Sequence, residues 1–366
     1  FYSAYPMSPS TGIMNYIADK ENEYGIIVEQ AEDEISAINM ALGASYAGVR
    51  SMTGTSGGGF ALMVEGLSLA GITETPVVIA LAQRPGPATG LPTRTEQADL
   101  QFALYSAHGE FPRVIFAPGT PEQAFHLTNK AFDLAEKYQI PVIILTDQYL
   151  ADSQWTFDGF DLNKLKYHDY RIRGDAFKNL TGYRRHEYTD SGVTPMGIPG
   201  DARHLVVTDS DEHNEDGHLI EDAETRNQMV DKRLFKKLPL IRQEIAPPLF
   251  YGDEQPEIVL VGWGSTFGVI KEAVDNLSTS PQKIAMLHFS EIYPYPSHDK
   301  FDFINILNNA RIAVCIENNA TGQFARLTRA ETGYDFKHHI NKYDGRPFTS
   351  YALSATITGL INDLPI

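Results

Sequence analysis

Three short segments combine residue types that do chemistry. The first, Tyr5-Pro6-Met7-Ser8-Pro9-Ser10-Thr11, sets two prolines and three hydroxyls ahead of a helical stretch. The prolines fix the backbone, and the hydroxyls either cap that helix, through Ser10 or Thr11, or face a small anion. The second segment is Val28-Glu29-Gln30-Ala31-Glu32-Asp33-Glu34, at a strand end and a helix start. Ligands favour the carboxyl ends of strands in open α/β sheets, whereas acids in a first helical turn complement the helix dipole. Asp33 and Glu34 fit the dipole role; Glu32 fits either. The third segment runs from Arg84 to Gln97 and contains three prolines and two glycines. It is a loop of fixed shape carrying Arg84 and Arg94, whose planar forks suit carboxylates better than an ammonium does.

These segments need elements to hold them. Apolar runs near 26–28, 77–81 and 142–145 read as strands, and Ser51-Met52-Thr53 runs into the glycine cluster Gly57-Gly58-Gly59. Helical spacing recurs over 34–46, 60–70 and 121–138, with Pro121 in a first turn where a missing N–H costs nothing. Strands alternating with helices predict a parallel sheet covered on both faces. The first domain is thus placed at 1–155. Residues 156–250 change character, with His, Asp, Glu, Gly and Pro accumulating, and read as a connector or lid ending in a charged helix near 227–238. The α/β pattern resumes with strands at 258–261, 283–288 and 312–316, giving a second, smaller domain over 251–366.

Three weaker motifs are read without a site. Gly262-Trp263-Gly264-Ser265-Thr266-Phe267-Gly268 has G-x-G-x-x-x-G spacing, not that of the dinucleotide fingerprint, and reads as a tight strand-to-helix turn. His213 and His218 stand among acids in a stretch lacking calcium-loop spacing, and read as a mobile acidic loop. Gly200-Asp201-Ala202 with the distant Asn227 lacks a second flanking glycine and any strand before it, and is read as a chance arrangement. No metal site is assigned to this chain.

Composition narrows the classes. The formal net charge of −17 from 366 residues disfavours nucleic acid and would also repel an acidic electron carrier. No apolar run is long enough to span a bilayer and no leader opens the chain, so a cytoplasmic protein is expected. The first residue is Phe, and the chain is read as part of a longer or processed polypeptide. The single cysteine, Cys315, lies in an apolar strand-like run and reads as a buried small hydrophobe. One thiolate cannot carry an iron–sulfur cluster.

Taken together and in order, the three segments resemble the α subunit of 2-oxoacid:ferredoxin oxidoreductases. Tyr5–Thr11 looks like the family's Tyr-Pro-Ile-Thr-Pro-Ser-Thr motif, with Met7 and Ser8 as departures. Gln30-Ala31-Glu32-Asp33-Glu34 resembles its thiamine-side acidic motif, and Arg84–Leu100 is most like the 2-oxoglutarate branch. The likeness continues through Asp209–His213 and Glu317–Asn319. The resemblance implies a thiamine-diphosphate pyrimidine-binding domain plus a smaller transketolase C-terminal-like α/β domain. It implies that Glu32 hydrogen-bonds the aminopyrimidine, with Pro6, Thr53 and Ser56 also at the cofactor. Ser8 stands where the family has a threonine on the substrate carboxylate, and Arg94, with Arg84 second, is expected to hold a carboxylate. The cofactor would act as electron sink during decarboxylation, coenzyme A would take the acyl group, and electrons would reach ferredoxin docked on another chain. The resemblance further implies a β subunit with the magnesium–diphosphate site and [4Fe-4S] cluster, a γ domain or subunit, and a dimer of heterodimers. The favoured substrate is 2-oxoglutarate, in either direction of the reaction. Pyruvate or branched-chain 2-oxoacids are the alternative, and a non-catalytic adaptor a remoter one.

Overall fold

Runs of Val, Ile, Leu and Ala bounded by Gly and Pro build the central strands, because only there are both faces of a strand dry. The computed structural model describes residues 1–278 and 283–363. The chain opens with β1 (Tyr2–Ala4), α1 (Thr11–Asp19), α2 (Glu21–Tyr24), β2 (Val28–Gln30), α3 (Glu34–Tyr46), β3 (Met52–Thr55) and α4 (Gly57–Ile72). It continues with β4 (Val77–Gln83), α5 (Leu100–Tyr105), β5 (Val114–Phe116), α6 (Pro121–Tyr138), β6 (Pro141–Asp147) and α7 (Gln148–Ala151). The middle stretch adds β7 (Arg171–Ile172), α8 (Gly174–Lys178), β8 (Met196–Gly197) and α9 (Ala223–Val230). A π-helical segment (Asp231–Lys236) then leads into α10 (Lys237–Glu244). The last part holds β9 (Leu249–Gly252), β10 (Ile258–Trp263), α11 (Phe267–Leu277), β11 (Ile284–Phe289) and β12 (Glu291–Tyr293). It ends with α12 (Phe303–Asn309), β13 (Ile312–Glu317), α13 (Gln323–Thr332), β14 (His338–Asn341) and α14 (Ser350–Asp363).

The first sheet has the order β12-β5-β6-β4-β3-β1-β2, parallel except for β12. The second has the order β14-β13-β10-β11-β9, parallel except for β9. One core lies between them: Ile38, Phe60 and Leu67 of α3 and α4 share a cluster with Val259, Val261 and Leu287 of the second sheet. The other face of the first sheet is covered by Leu127 and Leu134 of α6, with Met14 and Ile241. Helix α6 starts where the sequence places it, because Thr120 accepts a hydrogen bond from the Gln123 amide at 3.0 Å and Pro121 follows. The 262–268 segment is the tight turn expected, with Gly264 at φ +56°.

The acid- and histidine-rich middle stretch is pinned to the first sheet by buried ions. Glu74, in a left-handed turn after α4, meets the Nζ atoms of Lys232 and Lys237 and the Nδ1 of His186, with all four side chains buried. His213 therefore departs from the mobile-loop reading. It is fully buried, with its ring 4.0 Å from that of His186, because the local charges are spent on partners rather than on water. Asp201 accepts the Gly174 amide at 2.6 Å, a structural contact. No helix among the described residues is long and apolar enough to cross a membrane.

Candidate active site

Four neighbouring parallel strands, β2, β1, β3 and β4, bring the three segments to one edge. Their carboxyl ends deliver, respectively, Glu32, the Pro6–Ser8 turn, Thr55–Ser56 and Arg84. Each strand end is set by a local device. Asp33 caps α3 by accepting the Ser36 amide at 2.7 Å, which fixes the chain just after Glu32. Glu32 itself is exposed and makes no hydrogen bond or ion pair among the described residues. Ser8 is exposed as well, ahead of a cis peptide to Pro9. Ser10 occupies the N-cap position of α1 but does not cap it. Its hydroxyl turns back to the Met7 carbonyl at 2.7 Å and tightens the turn instead.

Below this edge lie polar side chains without partners. Thr53 and Ser56 are fully buried, and neither hydroxyl finds a hydrogen-bond partner. Thr53 lies inside β3, whereas Ser56 sits at the strand-to-helix junction. Glu34, one helical position after the Asp33 cap, is buried with Oε1 unpartnered. A Cβ on Gly59 would come 2.1 Å from Thr55 Oγ1 and 2.5 Å from Glu34 Oε1, so glycine is what lets these groups approach α4. Asp99 was missed by sequence reasoning. Its carboxyl lies against the start of α4, where a Cβ on Gly57 would meet Oδ2 at 2.7 Å. Burial pushes that carboxyl up to about 6. Glu96 is also raised, by burial and then by the Asp99 charge.

The arginine loop is braced at both ends. The Arg84 guanidinium donates to the Ser8 carbonyl at 2.9 Å. Downstream, Gln97 donates through Nε2 to the Trp263 carbonyl and accepts the Asn318 amide through Oε1, at 2.9 and 3.0 Å. Gln323 reaches the Ala98 carbonyl at 2.7 Å. These anchors belong to the second sheet, where buried Glu317 takes the Trp263 indole N–H and the Phe324 and Ala325 amides. Arg94 is half-buried in this loop and donates to its neighbour Thr93 at 2.9 Å, so it stands apart from Arg84 and Ser8 in hydrogen bonding. Cys315 is fully buried beneath, 3.5 Å from Glu317, and burial raises its thiol.

The residues present fit an aminopyrimidine. An unpaired carboxylate stands after β2, and orphaned hydroxyls lie on the nearby strand β3, at Thr53, and at the start of α4, at Ser56. The fold, two largely parallel sheets with helices packed on them, is that of an α/β protein, and similarity to known proteins supplies the class. A model described as pyruvate flavodoxin/ferredoxin oxidoreductase, thiamine diphosphate-binding, matches residues 1–232. The 2-oxoacid:ferredoxin oxidoreductase 1 subunit alpha of Sulfurisphaera tokodaii is 38% identical over 99% of this chain. The chain spans 59% of that relative's length. The 2-oxoglutarate synthase subunit KorA of Archaeoglobus fulgidus is 32% identical, with 81% of this chain and 77% of that one covered. Among solved structures, a 2-oxoglutarate:ferredoxin oxidoreductase from Magnetococcus marinus superposes with a TM-score of 0.90 at 34% identity, covering 99% of this chain and 62% of that one. A split-gene transketolase at TM-score 0.55 and 11% identity shares the fold alone. The chain belongs to the family of 2-oxoacid:ferredoxin oxidoreductase α subunits.

Proposed function

We propose that this chain is the pyrimidine-side part of an enzyme that oxidatively decarboxylates a 2-oxoacid, with 2-oxoglutarate the substrate and succinyl-coenzyme A the product. The observation that carries the reading is the meeting of Glu32, the Ser8 turn and Arg84 on one carboxyl edge. When bound, thiamine diphosphate supplies the electron sink for loss of carbon dioxide. Glu32 holds a proton at N1′ of the aminopyrimidine, and the Pro6 turn and Ser56 cradle the ring. Ser8 orients the carboxylate beside the 2-oxo group, Arg94 meets a substrate carboxylate from the loop between β4 and α5, and the anchors of that loop keep the geometry.

A partner β chain supplies the magnesium–diphosphate half and the iron–sulfur cluster, and ferredoxin docks there, away from this acidic chain. The expected assembly is a dimer of such heterodimers, with a γ portion in the same or a separate chain. The similarity to the Archaeoglobus and Magnetococcus proteins supports 2-oxoglutarate over pyruvate. The test is anaerobic co-purification with the β chain, followed by coenzyme A-dependent viologen reduction. Turnover with 2-oxoglutarate at least tenfold better in kcat/KM than with pyruvate or 2-oxoisovalerate is expected. Preference for either of those moves the substrate assignment, and turnover without any partner chain overturns the half-site reading.

A further inference from the structure

Beside Arg94 lies a cavity of about 260 Å³ whose lining includes neither Glu32 nor Ser8. Thr93, Arg94 and Thr95 form one wall, Gln148, Tyr149 and Ser153 another, and Gly345-Arg346-Pro347 the third. The first wall follows β4, the second follows β6, and the third follows β14 of the other sheet. The cavity is thus bounded by the carboxyl ends of two sheets, where α/β proteins place ligands.

Its walls are built to stay together. The Thr95 amide donates to the Gly345 carbonyl at 3.3 Å. Gly345 is buried at φ +76°, and a Cβ there would come 2.8 Å from Leu91 Cδ1 and 3.2 Å from Arg94 Cβ. The Asp344 carboxylate accepts the Arg346 amide at 3.0 Å, which turns the chain so that Arg346 follows Gly345 into the wall.

The charge balance is unusual for a chain with a net charge of −17. Two arginines, Arg94 and Arg346, are among the residues that line the cavity, and the Arg346 side chain has no hydrogen-bond or ion-pair partner among the described residues. Arg94 spends one N–H on Thr93, which leaves most of its five donors unspent. The one acid in the lining, Asp152, is already engaged by the Gln148 amide.

We propose that Arg346 is a specificity-determining residue that, with Arg94, holds a remote oxyanion of a substrate; this rests on the 2-oxoacid reading above. The shared chemistry is a carboxylate or phosphate gripped by two forks. Its source is either the distal carboxylate of a dicarboxylic 2-oxoacid or a phosphate of coenzyme A.

The experiment uses the assembled complex with Arg346→Ala and Arg346→Lys, both at an exposed position. If the source is the distal carboxylate, Arg346→Ala raises KM for 2-oxoglutarate roughly ten- to a hundredfold and leaves KM for pyruvate and coenzyme A unchanged. If it is a phosphate, KM for coenzyme A rises with every 2-oxoacid. Arg346→Lys recovers part of the loss in either case. Changes below twofold in all three constants overturn the inference while leaving the 2-oxoacid reading intact. Should the wild-type complex turn over no 2-oxoacid, that reading fails by itself. Calorimetric titration with 2-oxoglutarate and with adenosine 3′,5′-bisphosphate then decides the inference. Binding weakened tenfold by Arg346→Ala supports it; equal affinity, or no binding of either probe to wild type, overturns it.

Discussion

The guanidinium of Arg84 donates to the backbone carbonyl of Ser8 at 2.9 Å, across 76 residues of sequence. One arginine of the loop is therefore a brace for the hydroxyl-bearing turn, and the other, Arg94, keeps donors unspent. Arg84→Ala is expected to lower kcat/KM by about tenfold, the effect of one charge-assisted hydrogen bond, and equally for all 2-oxoacids. Arg94→Ala should cost roughly 30- to 1000-fold, with Arg94→Lys restoring only part. Steady-state constants for 2-oxoglutarate, pyruvate and 2-oxoisovalerate check both. Losses below a few-fold in the Arg94 variants would make Arg94 a structural residue of the loop.

In the proposed function Glu32 is the acid that meets the aminopyrimidine, and it is exposed just after β2. Glu32→Gln should leave assembly with the β chain intact while cutting turnover by about 10²–10⁴-fold, the range for proton transfer by a positioned side chain. Gel filtration and dye reduction report the two halves of this expectation. Near-normal turnover would shift the role to Glu29 or Glu34.

Glu74 neutralises two buried lysines. Burial lowers Lys232 to about 7 even with that carboxylate beside it. The paired lysines in turn hold Glu74 well below the usual carboxylate range despite burial. Glu74→Gln should destabilise the protein by about 3–5 kcal/mol, because it strands buried charge. The triple variant Glu74→Gln, Lys232→Met, Lys237→Met should recover most of this. Urea midpoints of the three proteins decide the matter, and a mild single variant would mean that water reaches the cluster.

Asp99 gives a pH signature. Its folded-state value of about 6 lies above the ordinary 3.8, so folding takes up a proton between those values. The stabilising share of the protonated carboxyl is complete below the ordinary value and is lost as pH rises through about 6. Asp99→Asn cannot ionise. It should be more stable than wild type at pH 7.5, by up to about 3 kcal/mol, with the difference fading near pH 4. A difference that does not change with pH would show that the carboxyl is solvated.

Sequence patterning reveals the parts of this fold that rest on local physics. Strands β4, β6, β10 and β13 are continuous apolar runs, and α6 carries its own start signal in Thr120-Pro121. Strand β2 lies two residues later than its apolar run, because Val28–Gln30 is a half-exposed edge that hydrophobicity does not mark. Strand β1 is three residues long and has no period to read. The middle stretch misleads for a different reason. Charge density signals solvent when partners are far apart in sequence, and Lys232 and Lys237 find Glu74 only after folding. Around the candidate site, Pro marks the Ser8 turn and Pro with Gly the Arg84 loop, whereas Glu32 has neither beside it and is singled out only by the resemblance. The surroundings of Gln97 and Arg346 are not legible, since they include segments more than two hundred residues away.

Strand β12 has a consequence for how the chain is made. Residues Glu291–Tyr293 pair with β5 on the outer edge of the first sheet, although β11 before them and β13 after them belong to the second. During synthesis that edge stays unpaired until the ribosome has released residue 293, long after its neighbours β5 and β6 have emerged. A bare strand edge is a template for other chains. Nascent chains stalled or cleaved before that point would carry an adhesive border, and expression of the first sheet alone would yield material prone to clumping.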